Sequence, residues 1–196
     1  MSQTMNRSSR FTFSALSALA LILLSMFPVA AQNDLSRPRA ELKIGGGIST
    51  FGGTSSIENY RHTVIAGAVR VYVYKRLSIE PEVMYMQRGD NDRDLVITPH
   101  IAVDLMDSRG RFVPYVITGI GVEHHRDQFT YNDFFNGNVL VTRKVSSNTV
   151  SINAGVGAKL FLTDRLFVAP DVRVGYEPTF RATVSVGYVF SGRKRG

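Results

Sequence analysis

The sequence contains no cysteine among its 196 residues. This absence excludes a disulfide framework, cysteine-ligated metal sites and a lipid-modified cysteine at an export cleavage point. Beyond the N-terminal segment, the sequence also lacks an apolar run long enough for a spanning helix, which argues against a helical membrane protein. No nucleic-acid motif or clustered basic helix accompanies the net charge of +7, so we expect no nucleic-acid partner. We also expect no cofactor.

Residues 1–31 have the organisation of a signal peptide. Two arginines and no acid precede an apolar region at 14–30, and the small residues Val29 and Ala31 predict cleavage before Gln32. An uncleaved anchor is the alternative, because the apolar run is borderline in length, but Pro28 favours cleavage. Cleavage would leave 21 basic and 16 acidic residues, a net charge of +5, and this mild excess favours lipopolysaccharide phosphates as partners.

The predicted fold rests on the alternation of side chains in residues 150–190. Three segments here have an apolar parity without any charge, while the other parity mixes charges with glycines. Alternation with a period of two marks strands that have two different faces. In a water-soluble sheet the apolar face would be the core. Glycines among charges instead predict a narrow polar lumen, with lipid on the apolar side.

The same alternation continues through the rest of the chain and gives eight strands of about ten residues, the length that crosses a bilayer. The strands are predicted at 40–50, 60–74, 77–87, 95–106 and 112–123, and three more lie within 150–190 with turns at 163–165 and 177–179. Residues 88–94 and 124–147 are predicted to be polar loops. For residues 139–145 the alternative is an extension of the hairpin beyond the membrane. The sequence therefore predicts an all-β, eight-stranded antiparallel up-and-down transmembrane β-barrel at 40–190, after a lead-in at 32–39 and before a basic tail at 191–196.

Every charged side chain within these strands except Arg61, at the start of the second strand, falls on the predicted lumen parity. This segregation is expected, because a Lys or Arg facing lipid at the membrane centre costs about 2–4 kcal/mol. An eight-stranded barrel is just wide enough for side chains to fill it. We therefore expect an occluded lumen of ion pairs around glycines, formed by Lys43, Arg70, Glu80, Glu82, Asp104, Glu123, Lys159, Asp171, Arg173 and Arg181, with His100 beside them.

Three prolines lie inside predicted strands. Pro81, Pro99 and Pro170 each remove a backbone donor from the sheet. We expect each proline to lie either at a β-bulge or at an end of the barrel, where the lost hydrogen bond can be tolerated.

On these residues the sequence resembles the small eight-stranded outer-membrane barrels of Gram-negative bacteria, of the OmpA transmembrane-domain and OmpX type. The resemblance covers about 40–190 and is clearest at PYVITGIGVE, VSINAGVGAKLFL and TVSVGYVF. It implies an outer-membrane location and a final strand that carries the signal for the barrel-assembly machinery, with Thr183, Tyr188 and Phe190 at the matching positions. Ser185 replaces the usual glycine, and the tail SGRKRG follows the terminal aromatic residue.

Glu123, His124 and His125 suggest an alternative, an enzyme that modifies lipopolysaccharide. Such chemistry needs a nucleophile, a base and an orienting acid on one exposed face. Alternation places Glu123 inside and His124 outside, so we interpret the segment as a hydrated strand end.

Two motifs in the loop at 88–94 carry weaker hypotheses. Arg88–Asp90 spells an adhesive triplet, but three residues recur by chance and Gly-Asp is ordinary turn chemistry. Asp90, Asp92 and Asp94 alternate as in a calcium loop, but the required glycine and the later bidentate acid are missing. We interpret these residues as a solvated acidic loop.

The prediction is a monomeric, non-catalytic outer-membrane barrel with a structural, envelope-integrity or surface-interaction role. Its expected partners are outer-membrane lipids, lipopolysaccharide and an extracellular partner bound through the loops. The lipopolysaccharide-modifying enzyme and a small porin or solute-binding barrel remain alternatives. A soluble lipocalin-like barrel would need its apolar parity to face inward.

Overall fold

The alternating segments form eight strands. The computed structural model describes residues 40–51, 60–88, 92–107, 110–133, 139–176 and 179–190. Within them the strands are β1 (Ala40–Phe51), β2 (Tyr60–Tyr74), β3 (Leu77–Arg88), β4 (Asp92–Asp104), β5 (Phe112–Asp133), β6 (Val139–Phe161), β7 (Leu166–Gly175) and β8 (Thr179–Val189). None of the described residues forms a helix that is long and apolar enough to span a membrane.

The strands form a closed antiparallel barrel in which each pairs with its neighbours in sequence and β1 pairs with β8. The closing ladder runs from Glu41 opposite Val189 to Phe51 opposite Thr179. Beyond its end, the Phe190 amide donates to the Ala40 carbonyl at 3.0 Å. Closure leaves no open sheet edge, which is the condition for placing strands in hydrocarbon.

The two faces of the sheet have opposite chemistry. Apolar side chains on the outside remain exposed, as in Ile44 (66%), Val156 (58%) and Val184 (55%). The charged side chains of Arg70 and Lys159 point inward and are completely buried. Apolar residues outside and charges inside are the arrangement of a barrel whose solvent is lipid.

The predicted strands agree with the structure over the membrane-spanning part and differ at one end of the barrel. β2 covers the predicted range 60–74, whereas β4 begins at Asp92 rather than at 95. The predicted loop at 124–147 is wrong for most of its length, because β5 continues to Asp133 and β6 begins at Val139. The alternative for residues 139–145, an extension of the hairpin, is confirmed. These two strands pair beyond Glu123 as a protruding hairpin.

The prolines are accommodated without a bulge. Pro81 and Pro99 face each other in the continuous β3–β4 ladder, and Pro170 faces Val184 in the continuous β7–β8 ladder. Each of these three strands also pairs with a second neighbour. In that ladder, pairing stops for two residues at the proline and resumes in the same register. The prolines therefore lie neither at a bulge nor at a barrel end. The hydrogen bond that each proline cannot donate is lost from only one of its two ladders.

Several predictions concern residues outside the described ranges. These are the signal peptide at 1–31, the lead-in at 32–39, the basic tail at 191–196, and Gly89 and Asp90 of the adhesive triplet.

Candidate functional site

The inward parity of the eight strands fills the lumen with ionisable side chains. Among the described residues, five cations and five carboxylates are buried in these ion pairs: Lys43, Arg70, Lys159, Arg173, Arg181, Glu41, Glu80, Glu82, Asp104 and Asp171. Asp94, a sixth buried carboxylate, contacts histidines at the hairpin end instead. Glu123, which was predicted to join the ion pairs, is only half-buried and lies near the hairpin end of the lumen. The ten ion-paired residues are formally neutral, so they compensate one another's charge.

One cluster of ion pairs lies toward the end where short turns connect β2 to β3, β4 to β5 and β6 to β7. The ammonium Nζ of Lys159 is 3.1 Å from Glu41 Oε1 and 2.9 Å from Asp104 Oδ2. The guanidinium of Arg70 donates to Asp104 Oδ1 at 3.3 Å and to Glu80 Oε2 at 2.5 Å. These contacts connect β1, β2, β3, β4 and β6 across the lumen.

A second cluster occupies the middle of the barrel around Arg173. Its Nη2 atom is 3.1 Å from Glu82 Oε2 and 3.2 Å from Asp171 Oδ2. Arg181 Nη1 lies 2.9 Å from Glu82 Oε1, and Arg173 Nη1 lies 3.0 Å from His100 Nε2. Glu82 therefore bridges two arginines from two other strands.

Tyr115 packs between the two clusters. The Arg70 guanidinium carbon lies 4.3 Å from the centre of the Tyr115 ring, and Lys43 Nζ lies 5.5 Å from it. The Tyr115 hydroxyl donates to Asp171 Oδ2 at 3.4 Å. Stacking of a cation on an aromatic face adds to the Coulomb attraction within the lumen.

Apolar side chains also line the lumen, which the expectation of ion pairs around glycines missed. A buried cluster closes the short-turn end and comprises Val113, Phe161, Phe167, Ala169 and Val189. A second cluster lies on the hairpin side of the ion pairs and comprises Val64, Met84, Met86 and Val96. The Phe161 and Phe167 rings are 5.1 Å apart. The lumen is therefore layered, with the ion pairs between apolar layers.

Four side chains of two metal-binding types meet at the hairpin end and are here called the mouth cluster: His62, Asp92, Asp94 and His125. His62 Nε2 lies 3.2 Å from Asp92 Oδ2 and 3.8 Å from Asp94 Oδ2. His125 Nδ1 lies 2.5 Å from Asp94 Oδ1 and 3.7 Å from Asp92 Oδ1. The interpretation of the two aspartates as a solvated loop is wrong, because both belong to β4 and Asp94 is only 2% exposed.

The sequence neighbours Glu123, His124 and His125 do not converge on one face. His124 Nδ1 lies 2.6 Å from Asn148 Oδ1, on the β6 strand of the hairpin. His125 instead contacts Asp94 in the mouth cluster. The described geometry therefore separates the two imidazoles into different sets of contacts.

The three residues of the predicted assembly signal occupy the two faces of β8 and its end. Thr183 points inward and its hydroxyl donates to Asp171 Oδ1 at 2.9 Å. Tyr188 and Phe190 are exposed on the outside, with their rings 5.6 Å apart in an edge-on arrangement. Recognition by the assembly machinery stays a prediction.

An eight-stranded closed barrel with an apolar exterior and a neutralised, charged interior defines a small transmembrane β-barrel. The chain matches the family model described as outer membrane protein beta-barrel domain over residues 18–190. The chain belongs to this family, and it is an outer-membrane β-barrel protein of the Gram-negative envelope. The short turns between its strands therefore face the periplasm, and the hairpin and the mouth cluster are extracellular.

Solved barrels share this fold at low sequence identity. Neisserial surface protein A is 10% identical, with a TM-score of 0.61, over 77% of this chain and 97% of that chain. The N-terminal β-barrel domain of Pseudomonas aeruginosa OprF is 15% identical, with a TM-score of 0.55, over 79% and 98%. The attachment invasion locus protein Ail of Yersinia pestis is 11% identical, with a TM-score of 0.55, over 77% and 96%, and it has also been solved with the heparin analogue sucrose octasulfate. The comparison with curated proteins gives no match.

Proposed function

We propose that this protein is a monomeric, occluded barrel that serves the integrity of the outer membrane rather than transport. The buried and neutral set of five cations and five carboxylates carries this proposal. Each central arginine reaches a carboxylate on another strand, as Arg173 and Arg181 do with Glu82. Such contacts fasten opposite walls of the barrel together and fill the space through which a solute would pass. The closed β1–β8 seam leaves no strand edge that a second copy would need to cover.

The space that remains in the lumen is small. A cavity of about 40 Å³ lies beside Met84, Glu123, Arg173 and Arg181. This volume suits isolated water molecules, because a single water needs about 10–15 Å³ of such space. On the periplasmic side, the Phe161 and Phe167 rings add an apolar layer that disfavours hydrated ions.

Planar-bilayer recording tests the proposal directly. We expect the folded protein to give no steady single-channel steps, since ions would have to displace buried salt bridges and cross an apolar layer. The protein sample used for the recordings should show the heat-dependent gel shift of a folded barrel. Bilayers that receive detergent alone provide the blank. Steady, ion-selective currents from the folded protein would contradict occlusion and favour the porin alternative.

We also propose that the protein is not catalytic. Small barrels of this family are generally without enzymatic activity. The separate contacts of His124 and His125 support the same conclusion, because a nucleophile and its base must share one site. Altered lipid A in cells that express the wild type, but not in cells that express a variant lacking both histidines, would revive the enzyme alternative.

A second candidate function, surface interaction, is favoured by the protruding hairpin. β5 and β6 stay paired from Glu123 opposite Thr149 to Asp133 opposite Val139, beyond the last outward apolar pair, Val122 and Val150. The hairpin exposes the cations Arg143 and Lys144. We propose that this hairpin contacts anionic saccharides outside the membrane, such as those of lipopolysaccharide or of sulfated glycans.

Heparin affinity chromatography of the detergent-solubilised barrel measures this interaction. Removing two cations with Arg143→Ala/Lys144→Ala should lower the salt concentration needed for elution, because exposed charge attraction is screened by salt. The matched control is Arg76→Ala/Arg111→Ala, which removes two exposed cations at the periplasmic end. Equal shifts for the two double variants would show that net charge, rather than the hairpin, determines retention.

A further inference from the structure

We propose that His62, Asp92, Asp94 and His125 form an extracellular site for a divalent transition-metal ion, and that zinc fits it best. The ligand atoms of His62, Asp92 and Asp94 all lie within 4.8 Å of one another. His125 lies outside this group of three but contacts the other oxygen of each of the same two carboxylates from β5. This site does not depend on the occluded lumen, so the two proposals fail or succeed separately.

Three separations within the mouth cluster are close to those around a metal ion. Zinc bonds of about 2.0–2.2 Å place tetrahedral ligands about 3.3–3.6 Å apart. His62 Nε2 is 3.2 Å from Asp92 Oδ2 and 3.8 Å from Asp94 Oδ2, and His125 Nδ1 is 3.7 Å from Asp92 Oδ1. The 2.5 Å contact between His125 and Asp94 is too close for two ligands. It is a hydrogen bond, so a bound cation would replace the proton that these two groups share.

The donor types determine which ion is expected. Two imidazole nitrogens and two carboxylate oxygens suit zinc and its transition-metal neighbours, whereas calcium prefers six to eight oxygens. Two carboxylates with two neutral histidines would balance a divalent ion. Asp92 Oδ1 is buried and accepts no hydrogen bond from the described residues, so this oxygen has coordination capacity to offer.

The fold holds the four side chains on strands rather than on a loop. His62 belongs to β2, the two aspartates to β4 and His125 to β5, and β3 separates β2 from β4. His62 and Asp94 are buried, while the Asp92 and His125 side chains are 21% and 35% exposed and face the route by which an ion would enter. A bound ion would tie β2 to β4 and β5 at the extracellular mouth.

Calorimetric titration with zinc chloride tests the site on the full barrel, purified in detergent without a polyhistidine tag and stripped with a chelator. We expect one zinc ion per barrel. His62→Ala and Asp94→Asn should each weaken zinc binding by at least about tenfold. This is a lower bound, because losing a residue that only hydrogen-bonds to a metal ligand already weakens binding by about 10–100-fold. Asp92→Asn, at a partly exposed position, provides a third variant if Asp94→Asn does not fold.

His124→Ala is the matched control, because His124 neighbours His125 in sequence but contacts Asn148 instead of the mouth cluster. It should bind zinc as tightly as the wild type. The heat-dependent gel shift identifies folded samples, and only those are titrated. A wild-type barrel that does not bind zinc, or variants of the mouth cluster that bind it as tightly as His124→Ala, would overturn the proposal.

Discussion

Replacing Arg173 with glutamate is expected to remove a large part of the stability of the barrel. Arg173 is 2% exposed, and its guanidinium lies 3.1 Å from Glu82 and 3.2 Å from Asp171. A glutamate there would add a carboxylate beside three others, those of Glu80, Glu82 and Asp171, in a water-poor lumen. Losing one partner of a buried ion pair costs about 3–5 kcal/mol, and reversal adds repulsion to this loss. The urea midpoint in lipid vesicles and the gel shift of unheated samples measure the effect.

A matched charge reversal separates burial from the mere change of net charge. Arg143→Glu makes the same substitution on the exposed hairpin and should leave the free energy of unfolding within about 0.5 kcal/mol of the wild type. Adding Asp171→Asn to Arg173→Glu should restore part of the loss, because one of the repelling carboxylates becomes neutral. If Arg173→Glu is as resistant as Arg143→Glu, the ion pairs of the lumen do not support the fold.

The sequence was sufficient to predict the fold wherever lipid constrains it. Within the bilayer, one face of each strand contacts lipid, which tolerates no charge. Arg70, Asp104 and Arg173 could therefore be placed inside from parity alone. What parity does not give is the pairing within the lumen, since the bridge from Glu82 to both Arg173 and Arg181 depends on the stagger of strands that are distant in sequence.

Outside the bilayer the same reasoning fails for a physical reason. Beyond Val122 and Val150, water contacts both faces of the hairpin. Polar and apolar side chains therefore no longer alternate, and these parts of β5 and β6 have the composition of a loop. Asp92 and Asp94 were misinterpreted for this reason, although their spacing of two residues is itself a strand signal. The apolar layer of Phe161 and Phe167 was missed because the residues beside them on the outer face are also apolar. The sequence there does not alternate between polar and apolar side chains.

The glycines of β1 lead to the second prediction with a large expected effect, on the closure of the barrel. A Cβ atom at Gly47 would lie 2.0 Å from the Ala182 carbonyl oxygen and 2.8 Å from Thr183 Cα, both in the backbone of β8. Backbone atoms of a paired strand cannot move away without breaking the ladder. Gly47→Val is therefore expected to cost about 3 kcal/mol, the upper end of the usual penalty for overpacking. Urea unfolding in lipid vesicles measures this loss.

The same substitution at Gly67 provides the control, because the nearest atom to a Cβ there is the Lys43 carbonyl oxygen at an ordinary 3.9 Å. Gly67→Val should leave the midpoint nearly unchanged, since valine favours strands. Hydrogen exchange identifies the mechanism: Gly47→Val should expose the amides of β1 and β8 first, while the β3–β4 ladder stays protected. Uniform loss of protection around the barrel would mean that Gly47 acts on general packing rather than on the closing seam. Because an unpaired backbone group in hydrocarbon costs several kcal/mol, a seam that opens even locally should also slow insertion into the membrane.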